Sequence, residues 1–525
     1  MRAGVRIPSL PALSILATLA GFLLLQIVSL ISTRGVFEYP LDDVYIHLSM
    51  AEQIAKGGYG INTGEYASAA SSPLYPYLLT PFAGTEAQRF LPLLWNTFAL
   101  ILAAWIWGRT LELSGHALDD RPSWPGLVLA ALGLLAVNAP SLAFMGMEHT
   151  LHLAASLAIL MGLVRFVTEG QIGPALVVGV FLSPALRLEG LAFALSAAGV
   201  VFFLGHRRAG ILLGFLALIP AVVFSAYLVS IGLSPVSNSI EAKLGLQIQT
   251  DADAVTRVLA WIRINLAEVP GQILLALSVL AFIVAPLVGR GERYGAGLRL
   301  IAYALALSGL AQLAGGRVGW PFRYEVYILA TLALGIAAII GLSETRAFPR
   351  ILAGAALALL LVASGGFYGD QAARNGRWAP LAIHLQQAQM ARFAQDYVGG
   401  PVAVNDIGRV SWGNPDYVLD LFGLASDEAL EMGFSGTDPR WAGTLASGAG
   451  VRFAMIYDKW FGDVVGEDWV RLGKLELMNR RGILGDWEVS FYATEPVLVP
   501  ELTAALHAFV PTLPDGVVFH FEGEA

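Results

Sequence analysis

Eleven apolar runs without a charged residue decide what this chain can fold into. They are Leu10–Thr33, Phe90–Gly108, Pro122–Met147, His149–Val164, Gly170–Leu186, Gly190–His206, Ala209–Ile240, Val269–Gly289, Leu300–Gly316, Val326–Ser343 and Ile351–Gly369. A bilayer core is crossed by a helix of about 20 mostly apolar residues, so each run is a candidate span. The whole chain is 56% hydrophobic and 14% charged, against about 25% charged in soluble domains. A cytosolic globular enzyme and a disordered chain are both excluded. The first run is too long for a signal peptide and no small-residue cleavage site follows it, so it reads as a retained span. The charge-free stretch Tyr66–Thr85 is filled with Ser, Pro and Gly and reads as loop.

Arginine sets the orientation. With the N-terminus inside, the inner segments carry Arg2 and Arg6, Arg109 and Arg121, Arg165, Arg207 and Arg208, Arg290, Arg293 and Arg299, and Arg346 and Arg350. All are short, as the positive-inside rule requires. The C-terminus and the long segments 34–89 and 241–268 then fall outside. The expected organisation is a multi-spanning α-helical module over residues 1–369, whose first outer loop is 34–89, and an extracytoplasmic domain over 370–525. That domain carries 11 Lys and Arg against 21 Asp and Glu, a net charge of −10, while the first 369 residues are near neutral. Such a distribution does not attract nucleic acid. Cysteine is absent, which excludes disulfides, a Cys-ligated zinc and a thiol nucleophile.

The outer segments have structure of their own. Asp43–Lys56 places Val44, Leu48, Ala51 and Ala55 on one helical stripe, with aspartate before it and Gly57-Gly58 after it as start and stop signals. The tail alternates short apolar runs (Val402–Val404, Tyr417–Leu421, Phe453–Tyr457, Val517–Phe521) with helical stretches such as Pro380–Tyr397, which predicts a compact α/β domain. No internal repeat is visible.

Transporters and pumps keep ionisable groups near the bilayer midplane. Here Asp42, Asp43, Glu148, Arg187, Glu189, Lys243, Arg317 and Arg323 stand at outer helix ends or in outer loops, where a lipid headgroup would lie. Asp42-Asp43 is the sharpest feature. A carboxylate there can take the proton of an attacking hydroxyl; the plain alternative is helix capping, for which one aspartate suffices. Glu148 suits a helix N-terminus, His149 and His152 fit an apolar helix face, and Arg187 and Glu189 can pair with each other. Arg323-Tyr324 fits interfacial anchoring. Together, on one face, these groups suit a phosphate and a sugar.

Several segments carry a family resemblance. Leu41-Asp42-Asp43-Val44-Tyr45-Ile46, with Ser71-Ser72-Pro73-Leu74-Tyr75 at the end of the same loop, resembles the signature of the GT-C glycosyltransferase superfamily, and within it the branch of the terminal mycobacterial arabinofuranosyltransferases. Met145-Gly146-Met147-Glu148, Leu186-Arg187-Leu188-Glu189-Gly190, the segment Asn238 through Lys243, Arg323-Tyr324, Asn405-Asp406-Ile407-Gly408 and Val418-Leu419-Asp420-Leu421-Phe422-Gly423-Leu424 are similar, in order, to further motifs of that branch. Leu188 stands where the branch has proline, and Val236-Ser237 interrupts its Pro-Asn-Thr pattern.

The resemblance implies a multi-spanning GT-C enzyme working on the outer face of a bacterial cell membrane, which agrees with the eleven runs and the extracytoplasmic α/β domain read from the residues. It implies an enzyme that moves a monosaccharide, such as the pentofuranose arabinofuranose, from a polyprenyl-phosphate donor to a cell-envelope glycan acceptor. Asp42 would be the base. Asp43 would orient the acceptor, bind a divalent cation or stabilise the oxocarbenium-like centre, and a double displacement stays open. Arg187, Lys243 and Arg323 would neutralise the donor phosphate, supported by Glu148, Glu189, Ser72, Asn238 and Tyr324. Asp406 and Asp420 would face the acceptor, or be turn residues. Two rival readings are a flippase of lipid-linked glycans and a non-catalytic glycan-binding membrane scaffold.

Overall fold

The computed structural model describes residues 8–118, 121–245, 253–344, 347–435 and 438–523. Arg2, Arg6 and Arg346, and the side chains of Arg121 and Lys243, lie outside the described residues. The fold is that of a multi-spanning α-helical membrane protein with a C-terminal α/β domain. Two compact units are present: residues up to 25 with 93–223 and 251–373, and residues 26–92 with 224–250 and 374 onward.

The first unit is helical. Each apolar run seeds a helix, and among the described residues seven helices are long and apolar enough to cross a membrane: Leu10–Ser32, Glu86–His116, His149–Glu169, Arg207–Ser230, Val269–Leu287, Gly295–Gly315 and one within Pro349–Val398. The other four expected spans are apolar helices of 13 to 17 residues, Trp124–Ala136, Pro174–Leu186, Gly190–Phe203 and Val326–Leu342. Two runs are broken. Asn138, left-handed at φ 69°, ends one helix before Ala139–Phe144 begins, and Gly232 at φ 86° turns the chain after Ser230.

His149–Glu169 and Val326–Leu342 are apolar on nearly all sides and buried, as befits central helices. A Cβ at Gly162 would meet the Leu176 backbone, so that glycine lets His149–Glu169 and Pro174–Leu186 approach closely, the usual device where lipid supplies no hydrophobic drive. Peripheral helices turn leucine and valine outward: Val362, in Ala347–Leu385, is 73% exposed, which water would not favour and lipid does. A helix not expected from the sequence, Ala254–Ala267, is capped by Asp253, whose Oδ1 accepts from the Val255 and Thr256 N–H groups at 2.9 Å.

The second unit carries a six-stranded sheet. Its strands are β1 (Val402–Val404), β2 (Val418–Asp420), β3 (Phe453–Ile456), β4 (Val470–Leu477), β5 (Glu488–Ala493) and β6 (Val517–Phe521), in spatial order β2-β1-β3-β5-β4-β6. β1 pairs in parallel with β2 and β3, and the other pairs are antiparallel. Leu419, Trp441, Ala454 and Tyr492 are part of one core cluster, and Phe393 packs on Phe453, Phe491 and Phe509. The expected helix over Asp43–Lys56 forms as Asp43–Ala55. Parallel strands gather their following loops at one sheet edge, where α/β folds place ligands. Asp406 follows β1, Asp420 ends β2 and Tyr457 follows β3.

Candidate active site

Within the second unit the first-loop acidic pair and the tail motif meet. Asp42 precedes the helix Asp43–Ala55 but makes no capping bond to it. Its carboxylate instead reaches the head of the one-turn helix Gly408–Ser411, accepting from the Gly408 N–H at 2.6 Å and the Arg409 N–H at 2.8 Å. Glycine is required at 408, because a Cβ there would collide with the Asp42 backbone carbonyl. The capping alternative therefore applies to a helix 366 positions away.

Asp406 stands beside Asp42. Its Oδ2 accepts from Gln387 Nε2 at 2.9 Å and from the Tyr457 hydroxyl at 2.8 Å. Tyr457 also donates to Gln386 Oε1 at 2.8 Å, and its backbone N–H donates to Asn405 Oδ1 at 2.8 Å. Burial and then the Asp406 carboxylate raise Asp42 well above the ordinary carboxylate range, with Asp43 adding to the effect, against the two backbone N–H bonds that lower it. Burial likewise raises Asp406, with a contribution from Asp43, against its bonds to Tyr457 and Gln387. Asp42, Asp43 and Asp406 all keep some accessible surface.

A second, ionic layer stands behind them. The buried Glu38 carboxylate accepts from the Tyr45 hydroxyl and pairs with Arg89 at 2.7 Å. The Arg409 guanidinium lies over the rings of Tyr45 and Trp412 at 5.5 and 5.2 Å. Sequence reasoning missed Glu38, Arg89, Gln387, Arg409 and Tyr457. Two signals were present: Arg409 directly follows Asp406-Ile407-Gly408, and Tyr457 directly follows an apolar strand.

Of the other expected site residues of this unit, Asp420 and Ser72 have local partners and Asn238 has distant ones. Asp420, 1% exposed, holds its own turn, with Oδ1 accepting from the Phe422 N–H at 2.8 Å and Oδ2 from the Ala425 N–H at 2.7 Å; burial pushes it up to about 6 against those bonds. This is the geometry of a turn residue. Ser72 accepts from the Tyr75 N–H at 3.1 Å. Asn238 exchanges bonds with Ser68 at 2.9 and 3.0 Å and donates to Asp427. Lys243 lies on the helix Asn238–Gly245. Among the described residues no three His, Asp or Glu side chains are placed to hold a metal ion, and both Asp42 oxygens are engaged by backbone.

In the first unit Glu148, Arg187, Glu189, Arg323 and Tyr324 come together. Glu148, Glu189 and Glu325 each stand directly before a helix, where the helix dipole favours negative charge. Arg187 bridges two of them, donating from Nη1 to Glu148 Oε1 at 2.6 Å and from Nη2 and Nε to the two Glu189 oxygens at 2.6 and 3.1 Å. Its guanidinium lies 4.8 Å from the Tyr324 ring centre, and that of Arg323 lies 5.1 Å from the same ring. Burial would raise Glu189, but Arg187 more than offsets this and holds it down at about 2. His152, expected on an apolar face, lies with its ring centre 4.1 Å from that of Tyr327 at a 34° tilt.

Residues 379–492 match the model of a family described as a domain of unknown function (DUF8728). No curated protein matches the chain. Among solved structures it is similar to ArnT from Cupriavidus metallidurans bound to undecaprenyl phosphate, at 12% identity over 91% of this chain and 98% of that one, with a TM-score of 0.48. It is also similar to the Archaeoglobus fulgidus oligosaccharyltransferase in the apo form, at 11% identity over 87% of this chain and 73% of that one, with a TM-score of 0.47. At these scores neither likeness carries a function over to this chain.

Proposed function

We propose that the chain is a membrane glycosyltransferase of the GT-C type. It moves a monosaccharide, a pentofuranose in the branch its motifs resemble, from a polyprenyl-phosphate donor to a glycan hydroxyl on the outer face of a bacterial cell membrane. The observation that carries this reading is the meeting of two motifs 366 positions apart: Asp42 of the first loop is bound by the backbone that follows Asp406 of the tail. Capping of its own helix does not account for that arrangement, and a scaffold has no use for paired carboxylates of raised pKa at the carboxyl edge of a sheet.

The chemistry follows from the site. The acceptor oxygen forms a bond to the anomeric carbon, the bond from that carbon to the phosphate oxygen breaks, and the electron pair leaves with the prenyl phosphate. The hydroxyl proton goes to Asp42. Two backbone N–H groups favour its anion, while burial and the Asp406 charge make that anion basic enough to accept a proton near neutrality, where a general base works best. Asp43 bears on the developing positive charge at the sugar. The motifs assign the leaving phosphate to Arg187, Lys243 and Arg323, of which Arg187 also pairs with Glu148 and Glu189.

Purified protein given a synthetic prenyl-phosphate pentofuranose or hexose and an oligosaccharide acceptor should yield a glycan longer by one sugar. Intact donor with every sugar tried would sink the reading. The raised carboxylates also fix the sign of the pH dependence. The base must be deprotonated, so kcat/KM should rise with pH to an apparent pKa above the ordinary carboxylate range. A plateau reached already near pH 5, about one unit above an ordinary aspartate, contradicts Asp42 as the base.

Orientation is tested separately in this cysteine-free chain. Cysteines replacing Glu86 and Asp515 should react with an impermeant thiol reagent added outside intact cells, and cysteines replacing Arg165 and Arg207 should not. Labelling of the Asp515 and Arg207 positions from the same side overturns the proposed topology.

A further inference from the structure

Two tryptophans of the acidic tail expose their rings beside the Asp406 network. Trp460 is 43% exposed and Trp487 46%, a large apolar surface to leave in water. Trp460 packs on Tyr457, which holds Asp406, and the Trp487 backbone reaches Tyr457 through Gln386. The Trp460 ring stands edge-on to the Tyr457 ring at 5.1 Å and 87°, and 6.0 Å from the Phe422 ring. The Tyr457 hydroxyl is the one that donates to Asp406. The Gly485 backbone lies against both rings, since a Cβ there would come within 2.6 Å of Trp460 and 2.8 Å of Tyr457. The backbone carbonyl of Trp487 accepts from Gln386 Nε2 at 3.3 Å, and Gln386 in turn accepts from Tyr457.

The same network holds two buried polar atoms without a protein partner, Gln387 Oε1 and Asn405 Nδ2, on residues 0% and 5% exposed. One is an acceptor and the other a donor. Buried polar atoms are as a rule hydrogen-bonded, so this neighbourhood suits a ligand that offers both kinds of group.

We propose that Trp460 is the platform on which a sugar ring of the glycan acceptor stacks, with its hydroxyls directed toward the Asn405, Gln387 and Asp406 side chains. A sugar has a face of C–H groups that lies on the electron-rich face of an indole, and a rim of hydroxyls that donate and accept. A site with aromatic walls and a few convergent polar groups is what such a ligand needs. Exposed tryptophan also anchors proteins at membrane interfaces. Charge favours the glycan, because residues 370–525 carry 21 Asp and Glu against 11 Lys and Arg and an anionic leaflet repels them, whereas a neutral polyol is not repelled.

This inference names the acceptor side of the proposed glycosyltransferase and rests on that reading. Its test uses binding, which needs no transfer. Full-length protein in detergent is titrated with fluorescently labelled short arabinan and mannan oligosaccharides, and separately with vesicles containing phosphatidylglycerol. Trp460→Ala should weaken oligosaccharide binding about tenfold, the scale of one aromatic contact. Trp460→Tyr should restore most of it, and Val497→Ala, a control at an exposed apolar residue, should bind as the wild type does. A thermal melt of each variant separates lost binding from lost fold. Wild-type protein that binds neither glycan, binds them equally well after Trp460→Ala, or uses Trp460 only for vesicles overturns the platform. Glycan bound through Trp460 without any sugar transfer would leave the platform standing and remove the glycosyltransferase reading.

Discussion

Replacing Asp42 with asparagine should lower sugar transfer by about 10²–10⁴, the range for loss of a general base. Part of the structural role survives the change. The asparagine oxygen can still accept from one of the Gly408 and Arg409 N–H groups, but its NH2 faces the other. One buried donor then loses its partner, at about 1–3 kcal/mol, so a lowered melting temperature accompanies the loss of activity. Two companion variants separate these effects. Asp43→Asn leaves both backbone bonds to Asp42 in place and removes a charge that raises Asp42 and Asp406; its pH profile should move toward acid while the protein stays folded. Gly408→Ala keeps every carboxylate but forces the Asp42 carbonyl away, so it should cost stability and activity together. A folded Asp42→Asn protein with near-normal transfer moves the base elsewhere, first to Asp43 and then to Asp406.

How much of this was legible in the sequence depends on the range of the signal. Apolar runs are local, and each of the eleven seeded a helix. They did not show where a helix would stop, as at Asn138, because one left-handed residue leaves hydropathy unchanged. Four tail strands were visible as short apolar runs. The strands β4 and β5 were not, because Arg471, Lys474 and Glu476 alternate with buried residues in the first, and Glu488 and Ser490 stand in the second. An alternating strand is built for one wet face and is missed by a search for unbroken runs. Within the site, the Arg187–Glu189 pair could be expected because two positions separate them. The Glu148 partner is 39 residues away and the Asp42 contact to Gly408 is 366 away, and spacing carries no information at that range. The two readings of Asp420 could not be separated from its sequence context, since a turn and a ligand site both use a carboxylate there; only its burial and its two backbone donors favour the turn.

The largest stability effect belongs to Arg187. Its guanidinium holds both Glu189 and the buried Glu148, 0% exposed and 39 positions before it in the chain. Arg187→Ala takes the guanidinium away from the buried Glu148 and from the partly exposed Glu189, and removing one partner of a buried pair costs about 3–5 kcal/mol. The pH dependence should change sign as well. In the wild type Glu189 is held at about 2 against an ordinary 4.5, so its contribution is present above 4.5 and is lost as pH falls toward 2. Without Arg187, burial raises Glu189, the folded state prefers it protonated, and stability is lost as pH rises through the raised value. Acidifying from about pH 7 to pH 5 should therefore raise the melting temperature of Arg187→Ala and not that of the wild type. Arg187→Lys should fall between them, because an ammonium cannot reproduce the forked contact. A variant as stable as the wild type, with no gain on acidification, contradicts a buried network. The triple change Glu148→Gln, Arg187→Met, Glu189→Gln removes all three charges together and should recover most of the loss. In that background donor affinity isolates the role of the guanidinium: a fall of one to two decades, the scale of one charge-assisted bond, places Arg187 on the donor phosphate, and unchanged affinity makes it a positioning residue for the two helix ends that it joins.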